Sequence, residues 1–145
     1  MAAMSDYLEN KIIDWLLRGQ AFTPPATVYV GFVSTASTDS TPGTEFSGGS
    51  YARVAVSSSL ANWAGTQAAA STTASSGTSG TTSNNANITF PAPTSNWGTA
   101  IGVIIMDAAT GGNMLFYAPL ITAITANNGG AAPVISPTNL QVQID

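Results

Sequence analysis

The stretch "TAIGVIIMDAATGGNMLFYAPL", residues 99–120, decides the fold class of this chain. Its opening run, "TAIGVIIMD" at 99–107, is the most apolar strand candidate in the sequence, and "MLFYAPL" at 114–120 is a second apolar run. Between them, "AATGGN" offers Gly and Asn, which readily adopt the backbone conformations of a tight turn. The stretch therefore predicts a β-hairpin.

Further short strands are predicted on both sides of this hairpin. "TVYVGFV" (27–33) is rich in β-branched and aromatic residues, and Gly31 within it marks a bulge or a close approach of another group. The other candidates are "YARVAVS" (51–57), "NITF" (87–90), "ITAIT" (121–125) and "NLQVQID" (139–145). This series, punctuated by Gly, Pro and Asn, predicts an all-β fold, a jelly-roll-like antiparallel β-sandwich, and not an alternating βαβ fold.

One N-terminal α-helix precedes the strands. "SDYLENKIIDWLLRG" (5–19) offers a helix N-cap at Ser5 and a helix-ending glycine at Gly19, and the prolines of "AFTPPA" follow it. Its apolar residues recur at helical spacing and form one face, made of Leu8, Ile12, Trp15 and Leu16 and widened by Ile13 and Leu17. About fourteen residues are marginal for an isolated helix, so this face is expected to dock. Its own sheet is the favoured partner, and a neighbouring subunit is the alternative.

A Ser/Thr/Gly-rich segment interrupts the series of strands. Residues 71–83, "STTASSGTSGTTS", are drawn only from Ser, Thr, Ala and Gly. Neither flanking part of the chain has enough strands to be stable alone, so the segment is expected to be an insertion and not a linker. We predict a single domain over 1–145, with the helix within 1–20, the β-sandwich over 26–145, and the insertion around 66–85.

Charged residues are scarce. They make up 7% of the 145 residues, against about 25% in an average soluble domain. So little charge suits a protein that stays packed against copies of itself or against another protein. The net charge is −4, and only Lys11, Arg18 and Arg53 are cationic, so no cluster exists to bind nucleic acid.

The sequence shows no targeting signal. Acidic residues interrupt the N-terminal "MAAMSDYLENKIID", which therefore does not resemble a signal peptide. No run approaches the roughly 20 apolar residues that a membrane-spanning helix needs. We expect a protein made in the cytoplasm, with no membrane partner.

The residues needed for catalysis are largely missing. The chain has no His and no Cys, which removes the commonest general base and the usual metal ligands. We predict no catalytic residue, no cofactor and no metal site. A calcium site at Asp39 and Glu45 is the weaker alternative, and nothing in the spacing indicates that Asp107 converges with them. A sugar-binding surface is the alternative to burial for the aromatic residues Trp63, Trp97, Phe116 and Tyr117.

Several motifs resemble a family of small tailed-bacteriophage structural proteins. They are "YLENKIIDWLLRGQAFTPPATVYVGF", "GGSYARVAV", "ITFPAPTSNWGT" and "DAATGGNMLFYAPL", in this order and over most of the chain. Members are often labelled phage tail fibre proteins, and similar β-rich proteins act as head cement or decoration proteins. The sequence departs from the family pattern in "WGTAIGVIIMDA", where the family carries a His, and this slightly favours a structural role.

The resemblance implies a virion protein, made in the host bacterial cytoplasm. The leading expectation is a head cement or decoration subunit that stabilises the capsid by bridging capsomers. Its partners are then copies of itself, as a dimer or trimer, and the major capsid protein. The alternative is a tail-fibre or tail-tip component that binds the host surface, where a glycan is the expected ligand; against it, the sequence has no internal repeat. The candidate subunit contacts are Leu8, Ile12, Trp15, Leu16, Phe22, Pro24 and Pro25, together with the Ser/Thr tract.

Overall fold

A computed structural model describes residues 2–144. Strands and one helix account for the regular structure of this part of the chain, and most strands are short. In chain order the elements are β1 (Ala3–Met4), α1 (Asp6–Leu17), β2 (Thr27–Val33), β3 (Val54–Ser57), β4 (Thr81–Ser83), β5 (Ile88–Thr89), β6 (Gly98–Met106), β7 (Met114–Ala126), β8 (Val134–Ile135) and β9 (Gln141–Gln143).

The larger layer is a five-stranded antiparallel sheet in the order β1-β7-β6-β2-β3. The predicted hairpin is its central pair, with Ile105 opposite Phe116. Alternate residues face opposite sides of a strand, so Val30 and Ile105 enter the main core while Ile104 enters a smaller cluster on the other face. The most apolar run of the sequence is therefore buried on both faces.

Two short antiparallel ladders cover the main core from the other side. One pairs β4 with β9 and the other pairs β5 with β8. Val142 of β9 and Ile88 of β5 join the main core, which these ladders share with the five-stranded sheet. This arrangement confirms the prediction of an all-β sandwich preceded by one helix.

The strand β7 is longer than predicted. It runs for 13 residues and includes "ITAIT", which the sequence pattern predicts as a strand separate from "MLFYAPL". Pro119 lies within it, opposite Gly102, where the β6–β7 register shifts. The Leu115 carbonyl accepts from the β1 side, at Ser5 N–H, so by strand alternation the nitrogen of Pro119 also faces that side, beyond the β1 pairing, where no N–H is needed. On its other side β7 pairs with β1 only at Phe116 and Tyr117.

The helix begins and ends as its capping residues predict. The backbone N–H of Leu8 donates to Ser5 Oγ at 3.4 Å, and Gly19 has a φ of +68° after the C-cap Arg18. The helix also starts against the hairpin, because Ser5 N–H donates to the Leu115 carbonyl at 3.0 Å. In the described part of the chain, no helix has the length and apolar character needed to cross a bilayer.

Hydrogen bonds organise the Ser/Thr-rich segment around 66–85. Its last part forms β4, and Gln67 holds the preceding loop by donating to Ser71 Oγ and Thr73 Oγ1, both at 2.7 Å. After β4, the buried Asn84 donates to the Ser136 carbonyl at 2.9 Å, and its Oδ1 accepts from Leu140 N–H at 2.9 Å. The segment is thus tied to the β8–β9 region by an amide side chain.

Candidate assembly surface

The first half of α1 belongs to the chain's own core. Leu8 is buried in the main cluster, and Ile12 is half-buried against it. The N-cap reinforces this docking, because the Ser5 hydroxyl donates to the Met114 carbonyl and Asp6 N–H donates to the Asp39 carbonyl. Docking on the chain's own sheet, the favoured expectation, therefore applies to this half of the helix.

The second half of α1 leaves four large apolar side chains exposed. The exposed fraction rises towards the C-terminus of the helix, in the order Ile13 (49%), Trp15 (55%), Leu16 (63%) and Leu17 (81%). We call these four residues the apolar helix end. Ile13, Leu16 and Leu17 are neighbours at i, i+3 and i+4 spacing, and Trp15 lies further round the helix beside Leu16. Isolated exposed apolar residues are ordinary on a protein surface, whereas such a group is typical of an interaction site.

The predicted subunit contacts are thus divided between core and surface. Leu8 lies in the core, and Ile12, Phe22 and Pro25 are half-buried, while Trp15, Leu16 and Pro24 are exposed. Helical periodicity indicated one continuous face. It could not show that the sheet supports only half of that face.

Charges lie beside the apolar helix end. Asp14 and Arg18 form an exposed ion pair, with Arg18 Nε and Asp14 Oδ1 3.3 Å apart. Lys11 Nζ lies 5.7 Å from the centroid of the Tyr7 ring. Exposed ion pairs of this kind contribute little to stability. The charged groups therefore stay in contact with water beside the apolar helix end.

A second apolar surface is concave. An open cavity of about 320 Å³ separates the five-stranded sheet from the β4–β9 ladder; we call it the interlayer cavity. Its apolar walls come from both layers, and none of its described lining residues is charged. The lining residues are Val28, Trp63, Thr66, Ser75, Gly80, Thr82, Ile105, Phe116, Val142 and Ile144.

The only well-buried ion pair of the described chain lies on the other face of the sheet. Arg53 Nε donates to Glu45 Oε1 at 2.8 Å, and Arg53 Nη2 donates to Glu45 Oε2 at 2.7 Å. Arg53 Nη1 donates to the carbonyls of Ala108 and Gly111, at 2.7 and 2.8 Å, in the hairpin turn. The hydrogen bonds to Glu45 raise the pKa of the Arg53 guanidinium further. The arginine therefore fastens the β6–β7 turn to the 34–50 loop.

Tyr51 completes this cluster. Its hydroxyl donates to Glu45 Oε1 at 2.9 Å and accepts from Phe32 N–H at 2.9 Å. Burial raises the pKa of the phenol, and the neighbouring Glu45 charge raises it further. The ladder of β3 starts at Val54, three residues after the predicted start, and Tyr51 and Arg53 precede it with their side chains bonded to Glu45.

Gly31 gives this cluster its space. A Cβ atom at this position would lie 2.9 Å from both Glu45 Oε1 and Tyr51 Oη. The predicted close approach is therefore confirmed, and the approaching groups are the carboxylate and the phenol.

The acidic loop residues have separate partners. Glu45 is paired with Arg53, whereas Asp39 accepts a hydrogen bond from the Tyr117 hydroxyl and raises the pKa of that phenol. Asp107 accepts from Asn113 N–H at 2.7 Å within the hairpin turn. Within residues 2–144, no group of three or more His, Cys, Asp or Glu side chains is placed to hold a metal ion.

The aromatic residues do not form one exposed platform. Trp97 is buried, and its Nε1–H donates to the Gly49 carbonyl at 2.7 Å. Trp63 and Phe116 are half-buried and line the interlayer cavity, while Tyr117 belongs to the smaller cluster on the opposite face. Of these four rings, only Trp97 is buried, and the other three are half-buried.

Comparison with known proteins identifies a family for this fold. No curated protein sequence matches the chain. A family model described as "Podophage GP4 fiber I protein gp80" matches residues 3–143, which include every described helix and strand. The chain therefore belongs to this family of fibre-related phage structural proteins.

Proposed function

We propose that the chain is a repeated subunit of a virion fibre and that it works through contacts alone, without catalysis. The observation that carries this proposal is the apolar helix end, whose four large side chains lie exposed to solvent. Charged residues make up only 7% of the chain. This composition supports the same role, because subunits that pack side by side then desolvate few charged groups, which is costly. The description of the family favours a fibre over other parts of the virion.

A head cement or decoration role is the second proposal. A small sandwich with an exposed apolar helix end also suits a subunit that bridges neighbouring capsomers. The sequence shows no repeated shaft segments of the kind that long fibres have. In that role the partner is the major capsid protein, and many weak contacts add up to shell stability by avidity. In the fibre role the distal partner is a component of the host surface, for which a glycan is the expected class.

Copy number and location in purified particles test both proposals. Quantitative mass spectrometry should scale this protein to the major capsid protein, and antibody-gold labelling should locate it. A small number of copies at the tail supports the fibre role. A ratio near one to the major capsid protein, with labelling over the head, refutes the fibre role and favours cement. Absence from the particle refutes both.

A further inference from the structure

The interlayer cavity has the properties of a small-molecule site. Its volume of about 320 Å³ lies at the lower end of the range that is typical of ligand pockets, roughly 300–1,000 Å³. Its walls combine aromatic and aliphatic side chains, including those of Trp63, Phe116, Ile105 and Val142. None of its described lining residues is charged. A ligand of this cavity must therefore be uncharged and mainly apolar.

Backbone pairing fixes the walls of the cavity. Ile105 lies opposite Phe116 in the β6–β7 pair, and Thr82 lies opposite Val142 in the β4–β9 ladder. Trp63 forms an isolated antiparallel bridge to the residue that follows β4. Walls that belong to paired segments are in place before a ligand arrives, so binding has to order few groups.

The hydroxyl groups at the cavity are engaged in hydrogen bonds within the chain. Thr66 Oγ1 donates to the Ser76 carbonyl at 2.8 Å, and Thr82 Oγ1 donates to the Ala64 carbonyl at 2.7 Å. Ser75 Oγ accepts from the backbone N–H of Thr66 at 3.3 Å. A sugar needs free donors and acceptors for its many hydroxyl groups, since a buried hydroxyl without a partner is costly. The cavity therefore suits an apolar ring better than a sugar.

Water in this cavity is readily displaced. The volume corresponds to roughly ten water molecules at about 30 Å³ each, and the apolar walls give these molecules few hydrogen-bonding partners. The release of poorly held water to an apolar ligand is favourable. Since an apolar cavity of about 150 Å³ is large enough for benzene, this one has room for about two fused rings.

A second cavity, of about 420 Å³, is less suited to such a ligand. It is lined mainly by β7, including Ile121, and by residues 134–141. Its described lining includes the polar side chains of Thr122, Asn139 and Gln141 and no aromatic ring. Polar side chains hold water better than apolar walls do, and no ring is present to stack on a ligand. The interlayer cavity is therefore the better site for an aromatic molecule.

We propose that the interlayer cavity binds one small, uncharged aromatic molecule of about two fused rings, in contact with Trp63 and Phe116. This binding site goes beyond the proposed virion role and does not depend on it. The cavity lies within a single copy of the chain, so it is present whether that copy belongs to a fibre or to the head.

Isoleucine methyl NMR on the full chain tests the proposal. Isoleucines mark the three apolar surfaces in one sample. Ile105 and Ile144 line the interlayer cavity, Ile121 lines the second cavity, and Ile13 belongs to the apolar helix end. The probe is benzofuran, an uncharged molecule of two fused rings, which shifts the signals of the methyl groups that it contacts. Benzofuran-2-carboxylate is the charged control.

Two matched tryptophan variants accompany the titration. Ile144→Trp adds bulk at the rim of the interlayer cavity, where Ile144 is 52% exposed. Ile121→Trp makes the same change at a fully exposed position of the second cavity. Circular dichroism establishes first that both variants are folded.

The expected result is specific to the interlayer cavity. In the wild type, the signals of Ile105 and Ile144 should shift together and saturate at one benzofuran per chain, with a dissociation constant below about 1 mM. The carboxylate should bind at least about tenfold more weakly, because no described lining residue offers it a counter-ion. Ile144→Trp should weaken the binding of benzofuran at least about tenfold, whereas Ile121→Trp should leave it unchanged.

Three results would overturn the proposal. Shifts that do not saturate would show that no defined site exists. Shifts confined to Ile121 or to Ile13 would place the ligand on another surface. A carboxylate that binds as tightly as benzofuran would contradict the apolar character of the site. These measurements use the isolated protein, so their failure leaves the virion location, and with it the proposed function, unaffected.

Discussion

Replacing Arg53 by Met tests the buried ion pair on the outer face of the sheet. Met keeps much of the aliphatic packing of Arg and removes the guanidinium. Four hydrogen bonds disappear with it, two to the Glu45 carboxylate and two to the carbonyls of Ala108 and Gly111. The Glu45 carboxylate is then left without its counter-ion beside Tyr51.

The exposure of the two partners sets the magnitude. Breaking a buried pair by removing one partner costs about 3–5 kcal/mol. The side chain of Arg53 is 7% exposed and that of Glu45 is 23% exposed, so water relieves part of the penalty on the carboxylate. We therefore expect a loss near the lower limit, about 3 kcal/mol. This corresponds to a fall in the thermal midpoint of roughly 6–12 °C for a chain of this size.

Urea denaturation followed by tryptophan fluorescence measures the loss. The matched control is Arg18→Met, which removes the exposed pair with Asp14 and should change stability by less than about 0.5 kcal/mol. Adding Glu45→Met to Arg53→Met should restore at least half of the loss, since no unpaired charge remains. A loss below about 1 kcal/mol for Arg53→Met, with an unchanged m-value, would refute the reasoning.

Three further predictions concern other buried polar groups. The free energy of unfolding should fall as the pH rises above 10. Burial raises the pKa of Tyr51 in the folded state, so this tyrosine ionises first in the unfolded chain. Tyr51→Phe should reduce the fall, as measured by urea titrations between pH 9 and 11.5. Asn84→Asp replaces the Nδ2–H donor that faces the carbonyls of Ala86 and Ser136 by an acceptor oxygen, so the free energy of unfolding should fall by about 2 kcal/mol; an unchanged denaturation midpoint would contradict this. Ser5→Ala should lower stability by about 1–2 kcal/mol in thermal melts followed at 222 nm, whereas Thr72→Ala on the exposed loop should have no effect.

Local signals predicted much of the fold. Capping chemistry at Ser5 and Gly19 located the helix, and β-branched density located β2 with its bounds. The boundaries of β7 could not be read in the same way. Pro119 lacks an N–H group, and the strand continues past it because its nitrogen faces the side of β7 that is not paired there.

The buried cluster depends on contacts that sequence spacing does not encode. Glu45, Arg53 and the hairpin turn lie on three separate segments, and the sheet alone brings them together. Of the cluster residues, Gly31 alone gave a sign in the sequence. It indicated that another group approaches the backbone closely, and it did not identify that group. The helix presents the same difficulty. Its periodicity shows which residues share a face, while the extent of the sheet beneath decides which of them are buried.

The long, partly unpaired side of β7 bears on the proposed role, in which identical copies would lie close together. Exposed strand edges recruit other edges and start cross-β aggregation. Here β1 pairs with the edge at Phe116 and Tyr117, and Pro119, two residues after Tyr117, has no N–H to donate. A neighbouring strand therefore meets an interruption at the centre of the edge. In the proposed assembly, copies would therefore meet through side-chain contacts and would not join their sheets edge to edge.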